Sequence, residues 1–145
     1  MMTYISVALR EEVRKLANGK CEYCLRYEAY TINAHEVDHI RPEKHRGETI
    51  PDNLCLSCLE CNRYKGSNLC SIDPVTDSLT ALYNPRMQRW DDHFQLQSSD
   101  MTFAALTPVG RVTILILELN DSYRVSNRLS LARLGVYPDP PEEDL

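Results

Sequence analysis

The stretch from Cys21 to Gly66 decides the fold. It opens with Cys21-Glu-Tyr-Cys24 and runs through Val37-Asp38-His39-Ile40-Arg41-Pro42 and Asp52-Asn53-Leu54. It closes with Cys58-Leu-Glu-Cys61-Asn62-Arg63-Tyr64-Lys65-Gly66. Two Cys-x-x-Cys pairs separated by 33 residues are the spacing of two zinc knuckles sharing one tetrahedral ion. Each turn sets two thiolates beside one another, and two turns complete a four-sulfur shell. The gap between the pairs is longer than in a zinc ribbon, so a further element folds inside it. Cys55 also stands three residues before Cys58, which makes Cys55/Cys58 a competing knuckle. Cys58/Cys61 is preferred because Leu54-Cys55-Leu56 reads as a short buried strand, where a free cysteine packs well. Cys70 is expected to pack on a helix.

Outward from this clamp, Leu9, Val13, Leu16 and Ala17 recur at helical spacing, with Ser6 as N-cap and Asn18-Gly19 as stop. Thr31 to Ile40 reads as one or two short strands, Pro42 to Asp52 as a polar loop, Asn53 to Leu56 as a second strand. A helix follows from about Leu59 to Leu69. Helix, knuckle, strand, loop, strand, helix is the order of a ββα unit held by zinc. Beyond it, Leu79 to Tyr83 suggests a strand and Gln88 to Phe94 a short helix carrying Trp90. Phe94 to Gln97 and Met101 to Leu106, joined by Ser98-Ser99-Asp100, predict a hairpin. Val112 to Leu119 is too uniformly apolar for periodicity to choose between strand and helix. Asp121 caps a last helix with Val125, Leu129, Ala132 and Leu134 inward, ended by Gly135. The expected fold class is α+β: a zinc-clamped ββα core with an N-terminal helix and C-terminal hairpin plus helices. The expected domain runs over 1–138, with its core at 20–70 and an extension at 71–138. Residues 139–145 read as a disordered acidic tail.

The net charge of −5 is unevenly placed. Residues 1–70 carry ten Lys/Arg against ten Asp/Glu, and residues 71–145 carry six against eleven. An acidic chain argues against strong non-specific nucleic-acid binding but leaves room for an enzyme that grips a few phosphates locally. Met1 to Leu16 carries charge early and forms no apolar run, so no leader is expected. The longest strongly apolar run, Val112 to Leu117, contains Thr113 and is too short to span a bilayer. A cytoplasmic protein with no membrane partner is the expectation.

Inside the clamp, Asp38 offers a hard oxygen suited to Mg2+ or Mn2+. His39 beside it is the side chain poised to take a proton near neutral pH. Neighbours on a strand point to opposite faces, so a twisted strand is needed for both to serve one site. The Asn53 amide oxygen can accept from His39 and fix its tautomer. Asn62 offers a second neutral oxygen to the same cation, and Arg63 and Lys65 can meet phosphate oxygens. One base and one metal ion suffice to cut a phosphodiester.

These four pieces, in this order and spacing, resemble the HNH endonuclease family, in its zinc-stabilised branch with the ββα-metal fold. The resemblance implies His39 as the general base, Asp38 and Asn62 as ligands of one divalent cation, Mg2+ or Mn2+, and Asn53 as the residue that orients the histidine. It implies structural zinc on Cys21, Cys24, Cys58 and Cys61, and cleavage of DNA to 5′-phosphate and 3′-hydroxyl ends. It extends over about Lys20 to Gly66. The stretch Tyr83-Asn-Pro-Arg86, Trp90-Asp-Asp-His93-Phe94 and Leu106-Thr-Pro-Val-Gly110-Arg111 is similar to an extension of some bacterial, notably cyanobacterial, HNH proteins, and tips Val112 to Leu119 toward helix. Two features depart from the common pattern: Asn62 stands where many members carry His, and Gly47 stands alone where many carry a Gly-Gly pair.

Other charged residues read more plainly. His35 is expected to be structural, His45 and Arg46 a solvated loop tip, and His93 part of an amphipathic helix. Arg124, Arg128 and Arg133 are expected on a solvated face. The alternative function is a non-catalytic zinc-knuckle module that binds nucleic acid or protein. RNA as substrate, a partner protein and a homodimer all remain open from the residues alone.

Overall fold

The computed structural model describes residues 3–142. Helix α1, Val7–Leu16, starts where Ser6 Oγ accepts from the Leu9 N–H, and ends at Asn18 and Gly19, both with positive φ. Its inner side chains pack with Ile5, Val37, Leu54 and Leu56 in one small core. Strands β1, Glu36–His39, and β2, Leu54–Ser57, pair antiparallel, with Asp38 opposite Cys55 and His39 opposite Leu54. Alternation along this ribbon divides its faces. Val37, Leu54 and Leu56 meet α1, while Cys55 joins the second, larger core with the cysteine cluster and Ile40. Helix α2, Leu59–Lys65, follows at once, capped by the Cys58 thiol, and completes the ββα unit.

Two further hairpins follow. Strands β3, Cys70–Ile72, and β4, Leu79–Ala81, form one. Helix α3, Trp90–His93, leads into β5, Phe94–Gln97, which pairs with β6, Thr102–Ala105, as the sequence predicts. Helix α4, Pro108–Ile116, resolves the ambiguous apolar run as helix, with Thr107 as cap and Pro108 in its first turn. Helix α5, Ser122–Arg133, is capped by Asp121. The class is α+β, with small antiparallel sheets and helices around two cores.

The extension is built around the first knuckle. The Trp90 indole donates to the Tyr23 carbonyl at 2.9 Å, and the Tyr137 hydroxyl donates to the Cys24 carbonyl at 2.8 Å. Arg86 forks onto Glu22, whose carboxylate also accepts from the Leu56 N–H. Phe94, Phe103, Val112, Leu117 and Leu119 fill the space between.

Three expectations need correction. Helix α2 stops at Gly66 (φ 51°), and Cys70 lies exposed on β3 rather than on a helix. Helix α5 is turned relative to its apolar pattern: Arg124 and Arg128 are the buried residues, while Leu134 is exposed. The reason is what lies beneath. Arg124 meets cysteine sulfurs, and Arg128 stacks over the Phe103 ring at 4.3 Å and donates to the Met101 carbonyl. Lys65, third, is 1% exposed. Of the expected acidic tail, residues 143–145 lie outside the described residues. Asp139 accepts from the Tyr27 hydroxyl at 2.8 Å. No helix among the described residues is long and apolar enough to cross a membrane.

Candidate metal centre and catalytic cleft

Cys21, Cys24, Cys58 and Cys61 are all buried, and their sulfurs lie within 4.8 Å of one another. Cys24 and Cys58 sulfurs are 3.6 Å apart. A tetrahedral ion with 2.3 Å bonds to sulfur sets an edge of about 3.8 Å, so the cluster suits structural zinc. Each knuckle is stiffened by its own backbone: the Cys24 N–H donates to Cys21 Sγ, and the Cys61 N–H to Cys58 Sγ. Cys55 is not part of the cluster. Its thiol faces the Tyr23 hydroxyl, and burial pushes it up to about 12, which ends the competition between the two knuckles.

The charges around the cluster support a cation. Hydrogen bonding with Cys21 pulls the Cys24 and Cys58 thiols below their ordinary value, whereas burial pushes Cys21 and Cys61 well above it. Four buried thiolates need compensating positive charge. Arg124 supplies part of it, donating to Cys61 Sγ at 2.8 Å while also bonding the Leu117 carbonyl. Burial alone disfavours the charge on Arg124, but the Cys61, Cys24 and Cys58 sulfurs outweigh it and hold the guanidinium ionised. Arg26, paired with Glu60, is held in the same way by Cys24 and Cys58 against the same burial cost. Zn2+ and Arg124 offset three of the four thiolate charges, and Arg26 shares its charge between the sulfurs and Glu60.

The second cluster is of another kind. Asp38 and His39 line one side of an open cleft of about 460 Å³, with Pro42, Glu43 and Lys44 above and Gly66 and Ser67 at the end of α2. Strand alternation does not separate Asp38 from His39, because both reach this cleft at the end of β1. His39 is 8% exposed, and its Nε2 lies 2.9 Å from Thr49 Oγ1 and 3.6 Å from Glu43 Oε1. Thr49 Oγ1 also lies 3.4 Å from Glu43 Oε1, and with the Glu43 carboxylate on this side of the ring we assign the proton to Nε2, with Thr49 accepting. That assignment leaves the Nδ1 lone pair free. Nδ1 has no hydrogen-bond partner among the described residues and is not sealed from solvent. Glu43 is itself held by hydrogen bonding from Thr3, which lowers its carboxyl below the ordinary value and keeps it anionic.

Asn53 acts on the loop and makes no direct bond to His39. Its amide oxygen accepts from the Arg41 N–H at 2.8 Å, and its NH2 donates to the Arg41 and Glu48 carbonyls. Both ends of the loop that carries Glu43 and Thr49 are thereby tied to one side chain. Gly47 makes the tie possible, since a Cβ there would lie 1.6 Å from the Arg41 carbonyl oxygen. One glycine is enough for this path.

Asn62 is half-buried, and its amide makes no hydrogen bond among the described residues. It lies one turn before Lys65 on the same helical face, and Lys65 touches Asp38. Asp38 and Asn62 are hard oxygen donors of the kind Mg2+ or Mn2+ takes, but Asp38 lines the cleft and Asn62 does not. Arg63 is exposed. Lys65, expected on a phosphate, is instead drawn inward: its Nζ donates to the His39 carbonyl at 3.0 Å and lies 3.4 Å from Asp38 Oδ2. A buried ammonium stays charged only with such partners. Sequence reading missed Glu43, Thr49 and Lys44. The spacing of Glu43 four residues after His39 was the available signal.

Residues 21–68, about a third of the chain, match the family model described as HNH endonuclease. The matched segment begins at the first zinc-knuckle cysteine and ends just past α2, so it contains both clusters. No curated protein and no solved structure is matched by the chain. The HNH family makes a nuclease-type activity the first reading of the cleft.

Proposed function

We propose that this protein is a metal-dependent endonuclease that hydrolyses phosphodiester bonds of DNA. The observation that carries the reading is the setting of His39: Nε2 lies 2.9 Å from the Thr49 hydroxyl and 3.6 Å from the Glu43 carboxylate. With the proton assigned to Nε2, the Nδ1 lone pair is left to the cleft shared with Asp38. His39 Nδ1 accepts a proton from water as the water oxygen bonds to phosphorus. The bond from phosphorus to the 3′ oxygen breaks, that oxygen takes a proton from solvent water to leave as the 3′ hydroxyl, and the imidazolium returns its proton to solvent. Glu43 and Thr49 hold the imidazole in place and stabilise the imidazolium as it forms. Asn53 keeps their loop closed, and Asp38 and Asn62 would hold the cation. When bound, a divalent ion stabilises charge on the phosphorane and the leaving oxygen. Lys65 bonds Asp38, and exposed Lys44 in the cleft wall and exposed Arg63 on α2 would meet phosphate oxygens.

Zinc on the four cysteines is purely structural in this reading, and core and extension act as one domain, supported by the Tyr23, Cys24 and Glu22 contacts of the extension. One observation favours the alternative of a non-catalytic binding module: Lys65 already neutralises Asp38. Supercoiled plasmid incubated with Mg2+ or Mn2+ added or withheld separates the two. Cation-dependent nicking is expected. Equal inertness with and without the cation, together with retained nucleic-acid binding, supports the module.

A further inference from the structure

A second cleft, of about 450 Å³, is lined on one side by Ile40, Arg41 and Lys65, which follow or touch residues of the first cleft but line only this one. Ile40 is two residues beyond Asp38 on the same chain, and Lys65 bonds both Asp38 and the His39 carbonyl from this side. Whatever fills this cleft is therefore separated from Asp38 and His39 by Ile40 and the Lys65 side chain.

The lining has a particular chemistry. Leu69, Leu82 and Met87 give apolar walls, and no carboxylate faces in. Met87 is 83% exposed at the rim, an unbranched side chain free to close over a flat group. The polar lining consists largely of amides, and two of them have an assigned direction. Gln88 Oε1 accepts from the Asn84 N–H at 2.9 Å, which leaves its NH2 as donor. Asn84 Oδ1 accepts from the Arg86 and Met87 N–H groups at 2.9 and 3.2 Å, which leaves its NH2 as donor as well. The Asn68 side chain makes no hydrogen bond among the described residues. Lys65 is spent on Asp38 and the His39 carbonyl, and the remaining cation of the lining is Arg41, whose Nε donates to the His45 carbonyl. Apolar faces with uncommitted amide donors at their edge suit a planar heterocycle that carries carbonyl oxygens.

We propose that this cleft receives one unstacked nucleobase of the substrate, across Ile40 and Lys65 from the scissile phosphate, and prefers bases bearing carbonyl acceptors. The proposal rests on the nuclease reading. A base still stacked in a duplex cannot enter a concave site, so the preferred substrate is single-stranded or locally opened DNA. Thymine presents two carbonyl oxygens to the amide donors. Adenine presents its own N6 amino donor and no carbonyl, and leaves an amide N–H unpaired.

The test is a binding measurement on full-length His39→Ala protein, which leaves the oligonucleotide uncut. Anisotropy of labelled eight-residue oligothymidylate and oligodeoxyadenylate is compared at one salt concentration. The same pair is then measured on Asn68→Ala, Met87→Ala and Ala81→Trp backgrounds. Neither Asn68 nor Met87 makes a side-chain hydrogen bond among the described residues, and Ala81 is exposed at the mouth, so all three variants should keep their zinc and melting temperature. Thymidylate should bind about 10-fold tighter, the scale of a good base contact, and each variant should move the ratio toward one. An unchanged ratio in the variants overturns the proposal, as does equal affinity, or no binding, for the two oligonucleotides in the parent. Failure of the nuclease reading appears separately, as absent cation-dependent nicking by protein with His39 intact.

Discussion

The zinc clamp and the catalytic cleft lie within one stretch of 48 residues and use neighbouring strands and one helix, yet they are built on opposite terms. The clamp is closed. All four sulfurs are buried, two guanidinium groups answer their charge, and side chains from the extension hold the first knuckle by its backbone. The cleft is open. Asp38 retains access to solvent, and the Nδ1 lone pair of His39 has no partner among the described residues. A structural metal centre is complete without any visitor, whereas a catalytic one leaves capacity for cation, water and phosphate. The difference teaches which groups to count: satisfied ones mark the scaffold, unsatisfied ones beside a cleft mark the chemistry.

Perturbing the clamp should therefore cost the fold, and perturbing the cleft should cost the rate. The largest effect is expected from Cys58→Ala, which removes a zinc ligand and the cap of α2 together. Structural zinc contributes on the order of 10 kcal/mol in small domains, so circular dichroism should show no cooperative melt and metal analysis no stoichiometric zinc. A normal melt without zinc would break the comparison at its root.

Arg124→Met comes next. Removing one partner of a buried charge cluster costs about 3 kcal/mol, and zinc should pass to a chromogenic chelator faster than from the parent. Arg124→Lys keeps the charge but not the fork onto Cys61 and the Leu117 carbonyl, so its rate of zinc loss should fall between the two. Loss at the parental rate in both variants would remove the guanidinium from the account.

In the cleft, Gly47→Ala forces a Cβ onto the Arg41 carbonyl and, at 2.9 Å, onto the Asn53 amide. The loop must move, with nicking reduced at least about 10-fold, the usual cost of disturbing an orienting shell, and zinc content unchanged. The smallest effect is expected from Thr49→Val, which keeps the shape and removes the hydroxyl between His39 and Glu43. Nicking should fall about 10-fold, and the 15N shifts of the His39 ring should show the Nε2–H tautomer losing its dominance. A ring that keeps its tautomer would leave Glu43 as the partner that sets it.

Much of this was readable in the sequence, and the exceptions share a cause. Helix α1 was legible because its cap, its apolar spacing and its Asn18-Gly19 stop are all local. The same holds for the two knuckles and for the hairpin turning at Ser98 to Met101. Arg124 and Arg128 were not, because their partners lie on the clamp and on β6, far away in sequence. A charge run on a helix reads as solvated unless something distant demands it. Lys65 misled for the same reason: only the folded ribbon shows that Asp38 and the His39 carbonyl lie beneath it. The hairpin of β3 and β4 places Ser71 and Thr80 inward and Ile72 and Leu79 outward, so its alternation gave no sign of which face was buried. Asn53 was identified as an orienting residue from its place in the motif, but its partners are backbone groups of a loop, which no side-chain pattern reveals.

The central claim is that one cluster holds the fold while the other carries the chemistry, and His39→Ala tests it most directly. Zinc content, melting temperature and Mg2+-dependent plasmid nicking are measured together on parent and variant. The account predicts unchanged zinc and melting with nicking reduced by about 10² to 10⁴-fold, the worth of a general base. Undiminished nicking would contradict the role of His39, and loss of zinc or of the melt would contradict the separation of the two clusters.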